Sequence, residues 1–383
     1  MSLSLWTRRA AVPMLYDRWL LLASVGLLSI GILMVASTSI VISERQFHEP
    51  FHYLTRQVVF LVGGLIAGLV LLRVDMEFWQ KTGGIWLILS LFLLTAVLIP
   101  GIGRTVNGST RWIAFGPVAL QVSEIAKLSV IIYLAGYLVR RHEEVRLRMI
   151  GFLKPMFILS IAAVLLLKEP DFGAVVVMFA TALGMMFLAG ARLWQFIALL
   201  IAVGAAVGGL AVSSHYRLAR LTAFLDPWAN QYDSGYQLTQ SLIAFGRGGW
   251  FGVGLGESIQ KLFYLPEAHT DFLFAVLTEE WGLMGALIVI ILFAIFIIRS
   301  FQIGRQAQHQ GNLFNAYLAY GIGLWVGLQA MINIGVNSGV LPTKGLTLPF
   351  MSSGGSSLLV NCIGLALLLR IDHETRWRKL GLG

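Results

Sequence analysis

Within Leu265-Pro-Glu-Ala-His-Thr-Asp-Phe-Leu-Phe-Ala-Val-Leu-Thr-Glu-Glu-Trp281 fall five ionisable residues: Glu267, His269, Asp271, Glu279 and Glu280. They open one of the longest apolar runs in the chain, where charge is costly unless it is used. Thr270 and Asp271 immediately precede the apolar run Phe272–Leu277, so Asp271 suits a helix N-cap. The acids and His269 around it exceed what a cap requires. A carboxylate there can act as a general base or bind a divalent cation, Mg2+ or Mn2+.

Other residues have the types and spacing for a polar site. Glu124 and Lys127, in Gln121-Val-Ser-Glu-Ile-Ala-Lys127, are three apart on one helix face. They read either as a self-neutralising ion pair or as the wall of a polar cavity. In Lys168-Glu-Pro-Asp-Phe-Gly173, Pro170 and Asp171 suit a helix start, with capping the expected role of Asp171. Arg217, Arg220, Arg247 and Lys261 lie near flexible glycines, and Lys344 lies in a Pro- and Gly-rich stretch. Such cations can hold a pyrophosphate, although solvated loops explain single arginines equally well. No HExxH, CxxC or GxSxG is present, and the glycines after Arg247 match neither a Walker motif nor a dinucleotide fingerprint.

The elements that must position these groups follow from hydropathy. Of 383 residues, 57% are hydrophobic and 12% charged, with a mean hydropathy of +0.79. This is the composition of an integral membrane protein. An all-α bundle of about ten transmembrane helices is expected, near 18–42, 55–73, 83–100, 120–140, 152–167, 172–190, 193–212, 272–299, 313–337 and 354–371. The first run is longer than a signal-peptide core and reads as a transmembrane helix. The membrane domain thus covers 18–371, between a cytoplasmic segment 1–17 and a tail 372–383.

Charge orients the bundle. Seventeen of the 28 lysines and arginines crowd onto the N-terminal side of the expected membrane, densest from Arg140 to Lys154. The positive-inside rule then places both termini in the cytoplasm. Membrane topology also explains the net charge of +9 better than nucleic-acid binding does. The elaborate connections, a Gly-rich loop at 101–119, a very long one at 213–271 and a third at 338–353, face outward. Irregular backbone of this kind at membrane depth survives only when buried in protein or lining a cavity. The lone Cys362 reads as packing.

Six runs resemble one family. They are Asn107-Gly-Ser-Thr-Arg-Trp-Ile, Lys168-Glu-Pro-Asp-Phe-Gly, Asp226-Pro-Trp, Gly235-Tyr-Gln-Leu-Thr-Gln-Ser, Leu265-Pro-Glu-Ala-His-Thr-Asp-Phe and Leu341-Pro-Thr-Lys-Gly-Leu-Thr-Leu-Pro. In this order they resemble the SEDS proteins (shape, elongation, division and sporulation) along nearly the whole chain. Several wordings are those of the division type, as is the tail Leu369-Arg-Ile-Asp-His-Glu-Thr-Arg376. Val122 and Ser353 depart from the usual proline and tyrosine.

The resemblance implies a ten-helix peptidoglycan glycosyltransferase with Asp271 as its essential acid. It would polymerise lipid II on the outer face of the bacterial inner membrane, at the septum. It also implies a class B penicillin-binding protein transpeptidase of the FtsI type as partner, and divisome regulators of the FtsQLB type. Glu124, Lys127, Arg217, Arg220, Arg247, Lys261, His269 and Lys344 are the candidate substrate-binding residues, and Asp271 the candidate metal ligand. The alternatives are a lipid II flippase and a noncatalytic division scaffold.

Overall fold

The computed structural model describes residues 16–106, 109–115, 118–199, 201, 226–233, 235–342 and 345–379. Helices dominate it: α1 (Arg18–Phe47), α2 (His52–Leu71), α3 (Met76–Val97), α4 (Val122–Arg140), α5 (His142–Leu147), α6 (Met149–Lys168) and α7 (Phe172–Leu188). They continue with α8 (Tyr236–Gly248), α9 (Leu273–His309), α10 (Leu313–Asn337) and α11 (Gly355–Lys379). Among the described residues, eight helices are long and apolar enough to cross a membrane, and α7 is a shorter apolar helix. Nine of the ten expected spans therefore have a helical counterpart. The seventh, 193–212, lies largely outside the described residues, with 193–199 helical. The helix over the last expected span, α11, runs on past 371 to Lys379.

The helices exclude lipid by pairing apolar faces. α9 runs along α10 and α1, α2 along α11, and α3 along α4, while α8 lies on α9. Side-chain bonds tie the two ends of the bundle separately. At the basic end Asp17 bonds Arg299 and Arg376, and Gln310 Nε2 donates to the Thr375 carbonyl at 2.9 Å. At the opposite end Gln57 Nε2 donates to the Ser352 carbonyl at 3.2 Å, and Gln121 N–H donates to Ser356 Oγ at 2.8 Å. The end that carries Asp271 is the end opposite the arginine cluster.

Two features differ from the sequence expectation. The 101–119 connection is not a loop but an antiparallel three-stranded meander of β1 (Gly103–Val106), β2 (Ser109–Phe115) and β3 (Val118–Gln121). Thr, Trp, Ile and Phe favour strands, and Asn107-Gly108 between β1 and β2 is a strong hairpin signal. The glycine content masked it.

The second difference is a break in α9. Gly282 has φ 67° and ψ −166°, a conformation essentially confined to glycine. The break leaves orphan backbone groups, and the Gly-rich stretch after α8 satisfies them. Val253 and Gly254 N–H donate to the Glu279 and Glu280 carbonyls, while Leu283 and Met284 N–H donate to the Gly249 and Trp250 carbonyls. The glycines read from sequence as flexible are thus a splint across a broken helix.

Candidate active site

A cavity of about 370 Å³ opens at the end opposite the arginine cluster, with Asp271 in its wall. Four parts of the chain converge on it. They are the start of α2 (Tyr53, Arg56, Gln57), the meander and the start of α4 (Arg111, Trp112, Gln121, Glu124), the turn before α7 (Asp171), and the approach to α9 facing Gly345–Ser356.

The backbone of Asp271 is fixed from below. Asn333 and Asn337, one turn apart on α10, both donate through Nδ2 to its carbonyl oxygen, at 2.8 and 3.0 Å. Asn337 Oδ1 accepts from Ala275 N–H at 3.1 Å, and Asn333 Nδ2 also reaches the Leu346 carbonyl at 2.6 Å. The 345–354 segment completes the clamp. Ser352 Oγ donates to the Thr270 carbonyl at 2.6 Å, and Ser353 N–H donates to that of His269 at 2.9 Å.

Gly345 closes over the carboxylate, because a Cβ there would stand 2.8 Å from Asp271 Oδ2. The irregular backbone expected at 338–353 thus forms one wall of the cavity. The N-cap position of α9 is Phe272, with no side-chain cap bond. Capping therefore does not account for Asp271.

Asp271 is half-buried as a residue, and no hydrogen bond to its carboxylate is seen among the described residues. Burial pushes its pKa up to about 7, with Glu267 adding to the rise, Arg111 opposing it and Asp171 adding again. An acid titrating near neutrality in a cleft is poised to take a proton. Glu169, fully buried behind the meander, is pushed up to about 8 by burial and by Asp171, against Arg111. Neither of its carboxylate oxygens has a hydrogen-bond partner among the described residues. Asp171 caps α7 as its sequence suggested, with Oδ1 accepting from Ala174 N–H at 3.2 Å.

The remaining expected residues divide. His269 and Glu124 line the cavity with Asp271. His269 is buried against Tyr53, with ring centroids 4.7 Å apart, and burial lowers its pKa, keeping the imidazole neutral. Lys127 does not reach the cavity. Only 1% exposed, its ammonium bonds Glu124 Oε1 at 2.9 Å and Gln329 Oε1 at 2.7 Å. Gln329 also accepts from Trp325 Nε1 at 3.0 Å and donates to the Thr347 carbonyl at 3.0 Å. Glu124 and Lys127 thus form an ion pair whose acid also lines the cavity.

Arg247 and Lys261 are likewise taken up elsewhere, by the acids at the break in α9. Arg247 Nη1 bonds Glu279 at 2.7 Å, and Lys261 Nζ bonds Glu280 at 2.7 Å and Ser37 Oγ at 2.9 Å. Buried carboxylates demand such partners, and these cations supply them. Arg217, Arg220 and Lys344 lie outside the described residues.

Sequence reasoning missed two cations of the cavity, Arg56 and Arg111. Arg111 Nε and Nη2 donate to the Glu169 and Pro170 carbonyls at 3.0 and 2.5 Å, using two of its five donors. Arg56 stands one turn into α2 over the Phe60 ring, 5.8 Å from its centroid. Arg111 lay inside a quoted motif, and reading 109–115 as a strand would have drawn attention to it. As for a metal, among the described residues no three His, Cys, Asp or Glu side chains converge to hold one. Asp271 is then a single carboxylate, and the described residues build no complete cage.

Fold and site together define a polytopic α-helical membrane protein with an acid-and-arginine cavity at one end. The chain belongs to the Cell cycle protein family of FtsW, RodA and SpoVE, whose profile matches residues 18–377. It is 60% identical to the "Probable peptidoglycan glycosyltransferase FtsW" of Legionella pneumophila, over 96% of this chain and 93% of that one. Its likeness to the protein of the same name from Coxiella burnetii is 56%, over 96% and 99%. Among solved structures, it superposes with TM-score 0.80 and 26% identity on a chain of a peptidoglycan synthase complex that coordinates polymerization and crosslinking, covering 94% and 98%. It also resembles the Rod shape determining protein RodA of Thermus thermophilus, with TM-score 0.69, 25% identity and the same coverage.

Proposed function

We infer that this chain is a peptidoglycan glycosyltransferase of the division type, polymerising lipid II on the outer face of the bacterial inner membrane at the septum. The observation that carries this reading is Asp271 in the wall of a cavity shared with Arg56 and Arg111, where burial raises its pKa. The 4-hydroxyl of an acceptor sugar attacks the anomeric carbon of a donor whose leaving group is a lipid diphosphate. As the new bond forms, the Asp271 carboxylate takes the hydroxyl proton. Arg56 and Arg111 face the negative charge that develops on the departing diphosphate.

The clamp of Asn333, Asn337 and Ser352 fixes where the base stands. Such positioning lowers the entropic part of the barrier. Lys127 serves the site indirectly, tying Glu124 in the cavity wall to Gln329 behind it. A divalent cation, Mg2+ or Mn2+, would be held by Asp271 and would supply Lewis-acid stabilisation of the leaving group. Partnership with a class B penicillin-binding protein transpeptidase follows from the likeness to a complex that joins polymerization to crosslinking. Divisome regulators complete the expected setting.

The test is gel analysis of lipid II polymerisation by the purified chain with its transpeptidase partner, wild type against Asp271→Asn, with and without divalent cations. Glycan strands of normal length and yield from the folded Asp271→Asn protein would overturn the reading.

A further inference from the structure

A second concavity lies at the basic end, about 520 Å³ in volume, between α4 and α6. Its charged rim is Arg141 and Lys154, and its walls include Tyr133, Tyr137, Leu153 and Phe157. The floor is built rather than incidental. Tyr137 hydroxyl donates to the Gly151 carbonyl at 2.9 Å, locking α4 to the start of α6.

Glu144 bridges the two cations, accepting from Arg141 Nη1 at 2.6 Å and from Lys154 Nζ at 3.0 Å. It holds both toward one point without using them up, since their side chains stay 54% and 46% exposed. From 140 to 154 the chain carries five cations (Arg140, Arg141, Arg146, Arg148, Lys154) and two acids (Glu143, Glu144), a net charge of +3.

The other end of the concavity is apolar. Ile150, Leu153, Phe157, Ile161 and Val164 fall three and four apart along α6, each between 43% and 69% exposed. Their spacing makes one face, which runs about 10 Å from the level of Lys154 to that of Ile161. A cationic rim above an exposed apolar stripe matches a molecule with an anionic head and a hydrocarbon chain. Basic recesses between membrane helices on the cytoplasmic side have this character, and the positive-inside rule puts this rim there.

We propose that the α4–α6 concavity binds an acidic phospholipid of the inner leaflet, its phosphate between Arg141 and Lys154 and an acyl chain along the Leu153–Phe157 face. Glu144 competes with the phosphate for the same two cations. Neither the cavity around Asp271 nor the proposed glycosyl transfer enters this argument.

Native mass spectrometry of the detergent-solubilised full chain tests it, with phosphatidylglycerol and phosphatidylcholine of matched chains titrated in parallel. Wild type should retain phosphatidylglycerol in preference. Arg141→Gln and Lys154→Gln should each weaken retention roughly five-fold, as removal of one surface cation implies. Glu144→Gln should strengthen it, which keeps the test decisive if the cation variants fold poorly. Inorganic phosphate at millimolar concentration should not displace the lipid. Equal retention of the two lipids, displacement by free phosphate, or no response to Glu144→Gln would each overturn the proposal.

Discussion

Asn333 Nδ2 donates to the Asp271 carbonyl oxygen at 2.8 Å, across 62 residues of sequence. The bond is to the backbone, so it fixes the position of the acid while leaving its carboxylate open to the cavity. Asn337 repeats the contact from the next turn of α10. The Asp271 segment is therefore anchored by the helix beneath it rather than by the loop that leads into it.

Replacing Asn333 by Ala should then lower the polymerisation rate with Asp271 intact. The buried carbonyl keeps its bond to Asn337, so the stability loss should be about 1–3 kcal/mol. The rate loss should exceed what the folded fraction explains. Initial rates normalised to folded protein, by thermal melting in the same detergent, check it. A rate that tracks folded protein alone would make Asn333 purely structural.

The pH profile of polymerisation should rise through neutrality, because the proposed base Asp271 works only when ionised and burial raises its pKa to about 7. Glu267 raises that pKa and Arg111 lowers it. Glu267→Gln should move the acid limb to lower pH, and Arg111→Gln should move it up while also slowing turnover. Initial rates from pH 5.5 to 8.5 read all three limbs.

Glu169 predicts an effect on stability. Its folded pKa of about 8 lies above its ordinary value of 4.5, so the folded state binds the extra proton between those limits. Stability from this group is complete below the lower limit and declines as pH rises through the upper one. Glu169→Gln cannot ionise, so its melting temperature should gain on wild type as pH increases from 5 to 8.5. Parallel melting curves across that range would remove Glu169 from the account.

Lys127 and Glu124 form a buried pair, and losing one partner strands the other. Lys127→Met should cost about 3–5 kcal/mol, measured by thermal or denaturant unfolding. Combining it with Glu124→Leu should recover much of that loss. No recovery in the double variant would show that the pair is not the unit of stability.

Gly282→Ala tests the break in α9. The backbone there is nearly forbidden to other residues, and an added Cβ would run into the Phe251–Gly252 backbone. A loss of at least about 1–3 kcal/mol is expected, seen as reduced melting temperature and yield. An unchanged melting temperature would mean that the helix can straighten.

Much of this protein was legible in its sequence because the signals are local. Apolar runs of membrane-spanning length, the crowding of arginines at one end and the capping pattern around Asp171 depend on residues near one another in the chain. The acid at Asp271 stood out because ionised groups are scarce in such a chain. Its neighbours did not, since they depend on which distant elements meet.

Lys127 reads as an available cation until Gln329, 202 residues away, and Glu124 take up its donors. Arg247 and Lys261 read as diphosphate ligands until the break at Gly282 brings Glu279 and Glu280 to them. Arg56 and Arg111, unremarkable in sequence, reach the cavity because α2 and the meander pack beside the 345–354 segment. Sequence alone determined the membrane helices, their two unlike ends and the importance of one carboxylate. Only the tertiary structure decided which cations remain free to serve it, because a charge buried by packing must be neutralised by whatever the fold places within reach.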